Sequence, residues 1–308
     1  KRLRWGWLAR VFSNQLFDVY GQGAGSFDLR FDRGVSGYGV VEAVWDSVPL
    51  QARADFRWAN GRLSVGPLVG TSPAGLFDGR VVYTSRDLDV SGQVTHGDPV
   101  YWHAIGLPGW PAGDLTGDMH YWSWRQEPAG SRFQATLDGS VLAGWRADSA
   151  EVDVNAPSGA PGTFTVAMWR RGGRVDLDAD LEHGAWRGEW KAERFPLDEW
   201  PDGRASGIRG LLGEGAGTVE SRDGALRTTG GLSGSPVSWL GLEAASWSLA
   251  DVRGSLLPRP DLELPEVRLR NVTYLGVHFD SARARVRVGD QAAWLDEVVA
   301  TAGDTVVT

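Results

Sequence analysis

The feature that most constrains this chain is a two-residue alternation of apolar and polar side chains that recurs from end to end, with almost no helical periodicity. It is clearest at Val175, Leu177, Ala179 and Leu181, whose neighbours Asp176, Asp178, Asp180 and Glu182 are all acidic. Successive side chains on a strand point to opposite faces, so each such run has one apolar face and one wet face. Repeated along the chain, the pattern describes an all-β protein built on a long antiparallel sheet with a continuous apolar side. What that side covers is the functional question.

The same alternation runs through Phe27, Leu29 and Phe31, then through Leu50, Phe56 and their neighbours over residues 48–58, a long strand for a compact domain. It returns at Phe133 and Leu137, at Phe164 and Val166, at Trp186 and Trp190, at Val267 and Leu269, and at Val286 and Val288. Arg33-Gly34, Asn60-Gly61 and Asp78-Gly79 read as hairpin turns, Asn-Gly being the strongest such signal. The segment from Trp5 to Tyr20 fits a short amphipathic helix or an irregular strand. Residues near 97–114, with Pro99, Pro108 and Pro111, and near 195–207, with Pro196 and Pro201, read as irregular insertions, because proline cannot donate into a central ladder. Leu197 to Trp200 suits a single helical turn. Neither insertion shifts composition, so residues 1–308 read as one continuous segment. Without an initiating Met, and ending within what looks like a strand, it reads as an internal fragment of a longer chain.

Composition narrows the function. The 42 glycines, about twice average usage, suit many turns. Sixteen tryptophans against ten phenylalanines and six tyrosines fit either a Trp-rich core or an apolar surface bordering water. A net charge of −8 argues against nucleic acid as a partner, since backbone binding needs clustered Lys and Arg. With no cysteine there are no disulfides or thiolate metal sites. No stretch is apolar enough for a membrane-spanning helix, and Lys1 to Arg10 lacks the apolar core of a signal peptide.

No catalytic constellation emerges. His96, His103, His120, His183 and His278 show no metal-ligand spacing. The paired acids repeat along single strands and read as a solvated face rather than as two carboxylates across a cleft. Gly231-Leu232-Ser233-Gly234-Ser235 is off the spacing of a nucleophile elbow. Gly21 to Gly25 and Gly213 to Gly217 lack a following helix with Lys-Ser or Lys-Thr and read as turns. The expectation is a protein that is not an enzyme and holds neither cofactor nor metal.

A sheet with one apolar face must pair with a second sheet, close into a barrel, or curl into a trough that holds something apolar. Full charge along the polar faces and few tyrosines at run ends weaken a membrane barrel. Large-with-empty runs such as Trp186, Gly188, Trp190 and Ala192 suit a lining better than a tight sandwich. A sandwich or β-solenoid that binds carbohydrate through exposed tryptophans remains the alternative.

The strings Gly173-Arg174-Val175-Asp176-Leu177-Asp178-Ala179-Asp180-Leu181, Gly184-Ala185-Trp186-Arg187-Gly188-Glu189-Trp190 and Phe195-Pro196-Leu197 resemble repeating units of the AsmA-like superfamily, most closely its TamB branch, the translocation and assembly module. Gly231 to Pro236 and Val252-Arg253-Gly254-Ser255-Leu256 are similar to its recurrent G-x-L-x-G phrases. The resemblance implies a taco-shaped open groove (β-taco), with strands roughly perpendicular to its long axis, in the periplasmic part of an inner-membrane-anchored protein of the cell envelope. It implies phospholipid transport between the membranes, assistance to outer-membrane protein assembly, or both. The implied ligand is a phospholipid or another acyl chain, with an outer-membrane assembly protein as a further partner. The groove-lining residues would be the apolar positions of the alternating runs: Phe27, Leu29, Phe31, Leu50, Phe56, Phe133, Leu137, Phe164, Val166, Val175, Leu177, Leu181, Trp186, Trp190, Val267, Leu269, Val286 and Val288.

Overall fold

The computed structural model describes residues 3–4, 21–31, 34–45, 48–98, 100–101, 113–126, 129–142, 145–182, 185–199, 207–222, 225–257, 261–289 and 293–308. The readings of Trp5 to Tyr20, of most of 97–114, of 200–206 and of His103 and His183 fall outside them, as does the Phe27 side chain. The described chain is all-β and antiparallel, and it divides into two compact units.

In the first unit, β1 (Leu3–Arg4), β2 (Gly21–Phe31), β3 (Val35–Trp45), β4 (Val48–Ala59), β5 (Arg62–Ser72), β6 (Gly75–Tyr83), β7 (Asp87–Gly97), β8 (Gly113–Trp124) and β9 (Gly130–Asp138) each pair with the next in sequence. The short β10 (Val141–Leu142) returns onto β8, and β12 (Ser149–Pro157) continues the ladder from β9. In the second unit, β11 (Trp145–Arg146) precedes a meander of β13 (Gly162–Arg170), β14 (Gly173–Glu182), β15 (Ala185–Pro196), β16 (Arg209–Arg222), β17 (Ala225–Trp239), β18 (Leu242–Leu257), β19 (Asp261–Tyr274), β20 (Val277–Val288), β21 (Ala293–Ala302) and β22 (Thr305–Val307). Among the described strands, neither ladder pairs its last strand with its first, so neither closes into a barrel.

The turns follow from local chemistry. Asn60-Gly61 forms the β4–β5 turn with φ of 50° and 73°, the left-handed pair a two-residue hairpin requires. Leu197–Glu199 forms the expected single turn, of 3-10 type. Three glycine readings are corrected. Asp78-Gly79 lies inside β6, Gly21 to Gly25 inside β2, and Gly213 to Gly217 inside β16. At Gly79 and Gly217 the glycine serves close approach rather than a turn. An added Cβ would stand 2.3 Å from the Ser91 carbonyl oxygen at Gly79, and 1.9 Å from that of Thr229 at Gly217.

Bulges interrupt the ladders at several places, including one in β5 between Val65 and Leu68, which shifts its register with both β4 and β6, and one in β19 between Leu264 and Val267. Each shifts the count by one residue, bends the strand, and keeps apolar side chains on one side where strict alternation would have sent them across.

The core is thin. In the second unit it centres on Ala192, Phe195, Leu212 and Trp247, with Phe195 fully buried and Leu212 at 1% exposure. In the first unit the buried apolar residues are small or confined to the β8, β9 and β12 end: Leu115, Ala135, Leu137 and Ala150.

Candidate functional site: a half-covered apolar face

Strand register settles which residues share a face, because partners across an antiparallel pair project to the same side. In the first unit one row crosses nine strands as Leu29, Gly37, Phe56, Val65, Val81, Val90, Tyr121, Phe133 and Val154. A parallel row carries Phe31, Val35, Trp58, Leu63, Tyr83 and Leu88. Two more begin at the Phe27 position and at Ala52, the latter reaching Leu137 and Ala150. Leu50 lies two residues before Ala52 on the same side.

In the second unit, one row runs Met168, Val175, Ala192, Gly215, Leu232, Leu249, Val267 and Ala284. Beside it stand a row through Val166, Leu177, Trp190 and Val252, a row through Phe164, Ala179, Val219, Leu262 and Val288, and a row through Leu181, Trp186 and Leu226. Leu269 pairs with Trp247, and Val286 with Leu264. Within each unit the register therefore gathers that unit's candidate positions onto one face.

Their exposure separates them. Leu137 and Phe164 are buried, while Leu29 and Phe31 are exposed, Phe31 at 76%. The remaining described candidates are half-buried: Leu50, Phe56, Phe133, Val166, Val175, Leu177, Leu181, Trp186, Trp190, Val267, Leu269, Val286 and Val288. A second layer packed at interior density would bury such side chains almost completely. In the second unit Val175, Trp190 and Leu269 pack on one side against the buried cluster of Ala192, Phe195, Leu212 and Trp247 and stay half-buried.

Several aromatic rings lie down on this face rather than standing away from it, and glycines make the room. A Cβ on Gly79 or Gly92 would meet the Phe77 ring at 2.7 or 2.9 Å, and one on Gly234 would meet the Trp247 ring at 2.8 Å. The Trp190 indole occupies the space over Gly215 and Gly230, where a Cβ would stand 3.1 and 2.8 Å from it. Its Nε1–H donates to Thr228 Oγ1 at 3.1 Å. Trp190 is thus fixed in the apolar face as structure. Gly188, the empty member of the Trp186 to Ala192 run, seats no ring: a Cβ there would meet the Asp178 carbonyl oxygen at 2.2 Å and the Ala179 Cβ at 2.6 Å, so it serves close approach of the strands.

Strand β7 adds Leu88, Val90 and Val94 to the face, which its alternation with Asp87, Asp89 and Gln93 makes readable in the sequence. Leu63, Val65 and Leu68 of β5 had no such signal, because the bulge at Gly66-Pro67 breaks the period.

The opposite face is charged. Asp178 pairs across with Glu189, and Asp180 with Arg187. Asp153 accepts from Arg132 Nε at 2.8 Å and from Gln134 Nε2 at 2.7 Å, and the Arg132 contact holds its carboxyl below the usual carboxylate range. Asp148 accepts from the Arg171 backbone N–H at 2.7 Å and from the Arg170 guanidinium, and is likewise lowered. On the apolar face, burial pushes the Tyr121 hydroxyl up. His96 sits 3.1 Å from Asp114, and His120 3.3 Å from Asp89. Among the described residues no group of His, Cys, Asp or Glu is arranged to hold a metal ion.

No protein-family model, curated protein or solved structure matches this chain. The functional reading therefore rests on the face itself: broad, mostly apolar and half-buried across successive strands, with its polar counterpart turned away.

Proposed function

We propose that this chain is a non-catalytic segment of a lipid-handling β-groove, in which the apolar rows shield the acyl chains of phospholipid. In the cell envelope it would form periplasmic wall of an inner-membrane-anchored protein, carrying phospholipid between inner and outer membrane or assisting outer-membrane protein assembly. The observation that carries the reading is the half-burial of continuous apolar rows. A packed core would bury them, and a solvated surface would not be apolar across nine successive strands. Acyl chains suit such a lining because their burial is non-directional, about 0.8 kcal/mol for each CH₂ removed from water. No single residue needs to recognise them.

The test is the mass of the purified chain before and after delipidation, with lipid extraction of the difference. Phospholipid in stoichiometric amount is expected. A chain that carries none, and takes up none from micelles of a fluorescent phospholipid, is a packed module instead.

A carbohydrate-binding module is the second reading, favoured by tryptophans on the charged face. Trp122 and Trp169 lie there, but an arginine covers a ring face of each, Arg132 at 5.4 Å and Arg174 at 5.3 Å. Stacking a sugar on those faces would require displacing both guanidinium groups.

A further inference from the structure

Two neighbouring hairpin tips of the second unit break the rules of turn chemistry in the same way. The β17–β18 turn reads Trp239-Leu240-Gly241-Leu242, and the β19–β20 turn reads Tyr274-Leu275-Gly276-Val277. Each is an aromatic, a leucine, a glycine and an aliphatic residue. Leu240 and Leu275 hold φ of 47° and 48°, in the left-handed region where a β-carbon is disfavoured and Asn, Asp or Gly is usual. The equivalent position in the β4–β5 turn is Asn60, and in the β13–β14 turn Arg171. Leucine here also fails the burial rule, since Leu240 is 72% and Leu275 73% exposed. A residue that suits neither its backbone nor its solvent, placed twice side by side, points to something outside the fold.

The tips touch. The Leu275 N–H donates to the Gly241 carbonyl at 3.2 Å. One step behind the two leucines, Leu242 pairs with both Trp239 and Tyr274, and Tyr274 with Val277, giving a single cross-strand row. Behind that come Val237, Ala244, Val272 and Phe279, of which Ala244 and Val272 are buried and Val237 packs on the core. The apolar face of this unit therefore runs without interruption to its rim and over it.

We infer that this rim is a membrane-contact site that inserts Leu240 and Leu275 into the interface of a zwitterionic bilayer. The order of side chains at the apex matches that interface: aliphatic tips, then Trp and Tyr, whose amphipathic rings settle at headgroup level, with Arg209, Glu243 and His278 next on the opposite face of the same strands. The charges nearest the tips oppose one another, Arg209 and Glu243 both lying across from Ser238, so the site has no basic cluster to select anionic lipid. A protein partner fits less well. Four exposed side chains offer far less than the roughly 800 Å² per partner of a stable protein interface. Insertion at the rim stands without the groove reading; that an acyl chain then passes from the bilayer onto the apolar face rests on it.

The variant L240N/L275N puts the favoured residue at both left-handed positions, so the fold is retained or stabilised. Flotation of the chain with phosphatidylcholine vesicles, at low and high salt, reads the contact. The expected result is salt-insensitive binding that falls at least tenfold in L240N/L275N, with co-purifying phospholipid unchanged. Absence of wild-type flotation, or equal flotation of the two chains, overturns the site. So does a wild-type dimer that L240N/L275N dissolves without any vesicle binding, which would make the rim a contact between copies. Loss of co-purified lipid from the wild type would sink the groove reading and leave the rim result standing on its own.

Discussion

At the scale of single residues, the apolar face divides into side chains that hold the sheet and side chains that only cover it. Trp190 belongs to the first group, pinned over two glycines and hydrogen-bonded to Thr228. Trp190→Ala should lower stability by about 3–5 kcal/mol in urea denaturation. Phe31, exposed at 76%, belongs to the second. Phe31→Glu should change stability by no more than about 0.5 kcal/mol yet reduce the amount of bound phospholipid, because a charge at that position meets the ligand and not the fold. Equal destabilisation by the two changes would show that the face is a sealed core. On the charged side, Asp153 has a folded-state pKa lowered first by its bond from Arg132. A carboxylate with a depressed folded pKa stabilises above its unfolded value, and that stability is lost as pH falls through the folded one. Asp153→Asn should therefore be less stable than wild type at neutral pH and show a shallower loss below the carboxylate range, read from urea midpoints across pH.

At the scale of strands, the regular runs disclosed their faces in the sequence and the bulged ones did not. Val175, Leu177 and Leu181 could be assigned from their acidic neighbours alone, and register places them with their partners on one side. On β19 the apolar positions are Leu262, Leu264, Val267, Leu269, Val272 and Tyr274, and the two three-residue steps fall at Pro265-Glu266 and at Asn271, where φ is 49°. A single inserted residue inverts every later assignment, and its position depends on the partner strand. Glycine was misread for the same reason. Gly79 looks like a turn beside Asp78, but it sits opposite Gly92 under the Phe77 ring. Gly79→Val should cost about 1–3 kcal/mol, because backbone and ring must both move to admit the side chain. Little change in the urea midpoint would mean that the ring is not seated as described.

At the scale of the whole molecule, the proposed function gives the two faces of the same strands different jobs, one meeting lipid and one meeting water. Composition alone could not assign those jobs. It could not separate a lining from a core, because both are apolar every second residue; the half-burial of the assembled face is what supports a lining. The same strand can test the claim on adjacent residues. Leu177 lies in the apolar row with Val166 and Trp190, and Asp178 lies on the opposite face across from Glu189. A photo-crosslinking amino acid placed at each position in turn, irradiated with radiolabelled phospholipid bound, gives the most direct measurement. Labelled adduct at position 177 and none at 178 is the predicted result; equal labelling at the two positions, or none at 177, would show that the apolar row does not face lipid.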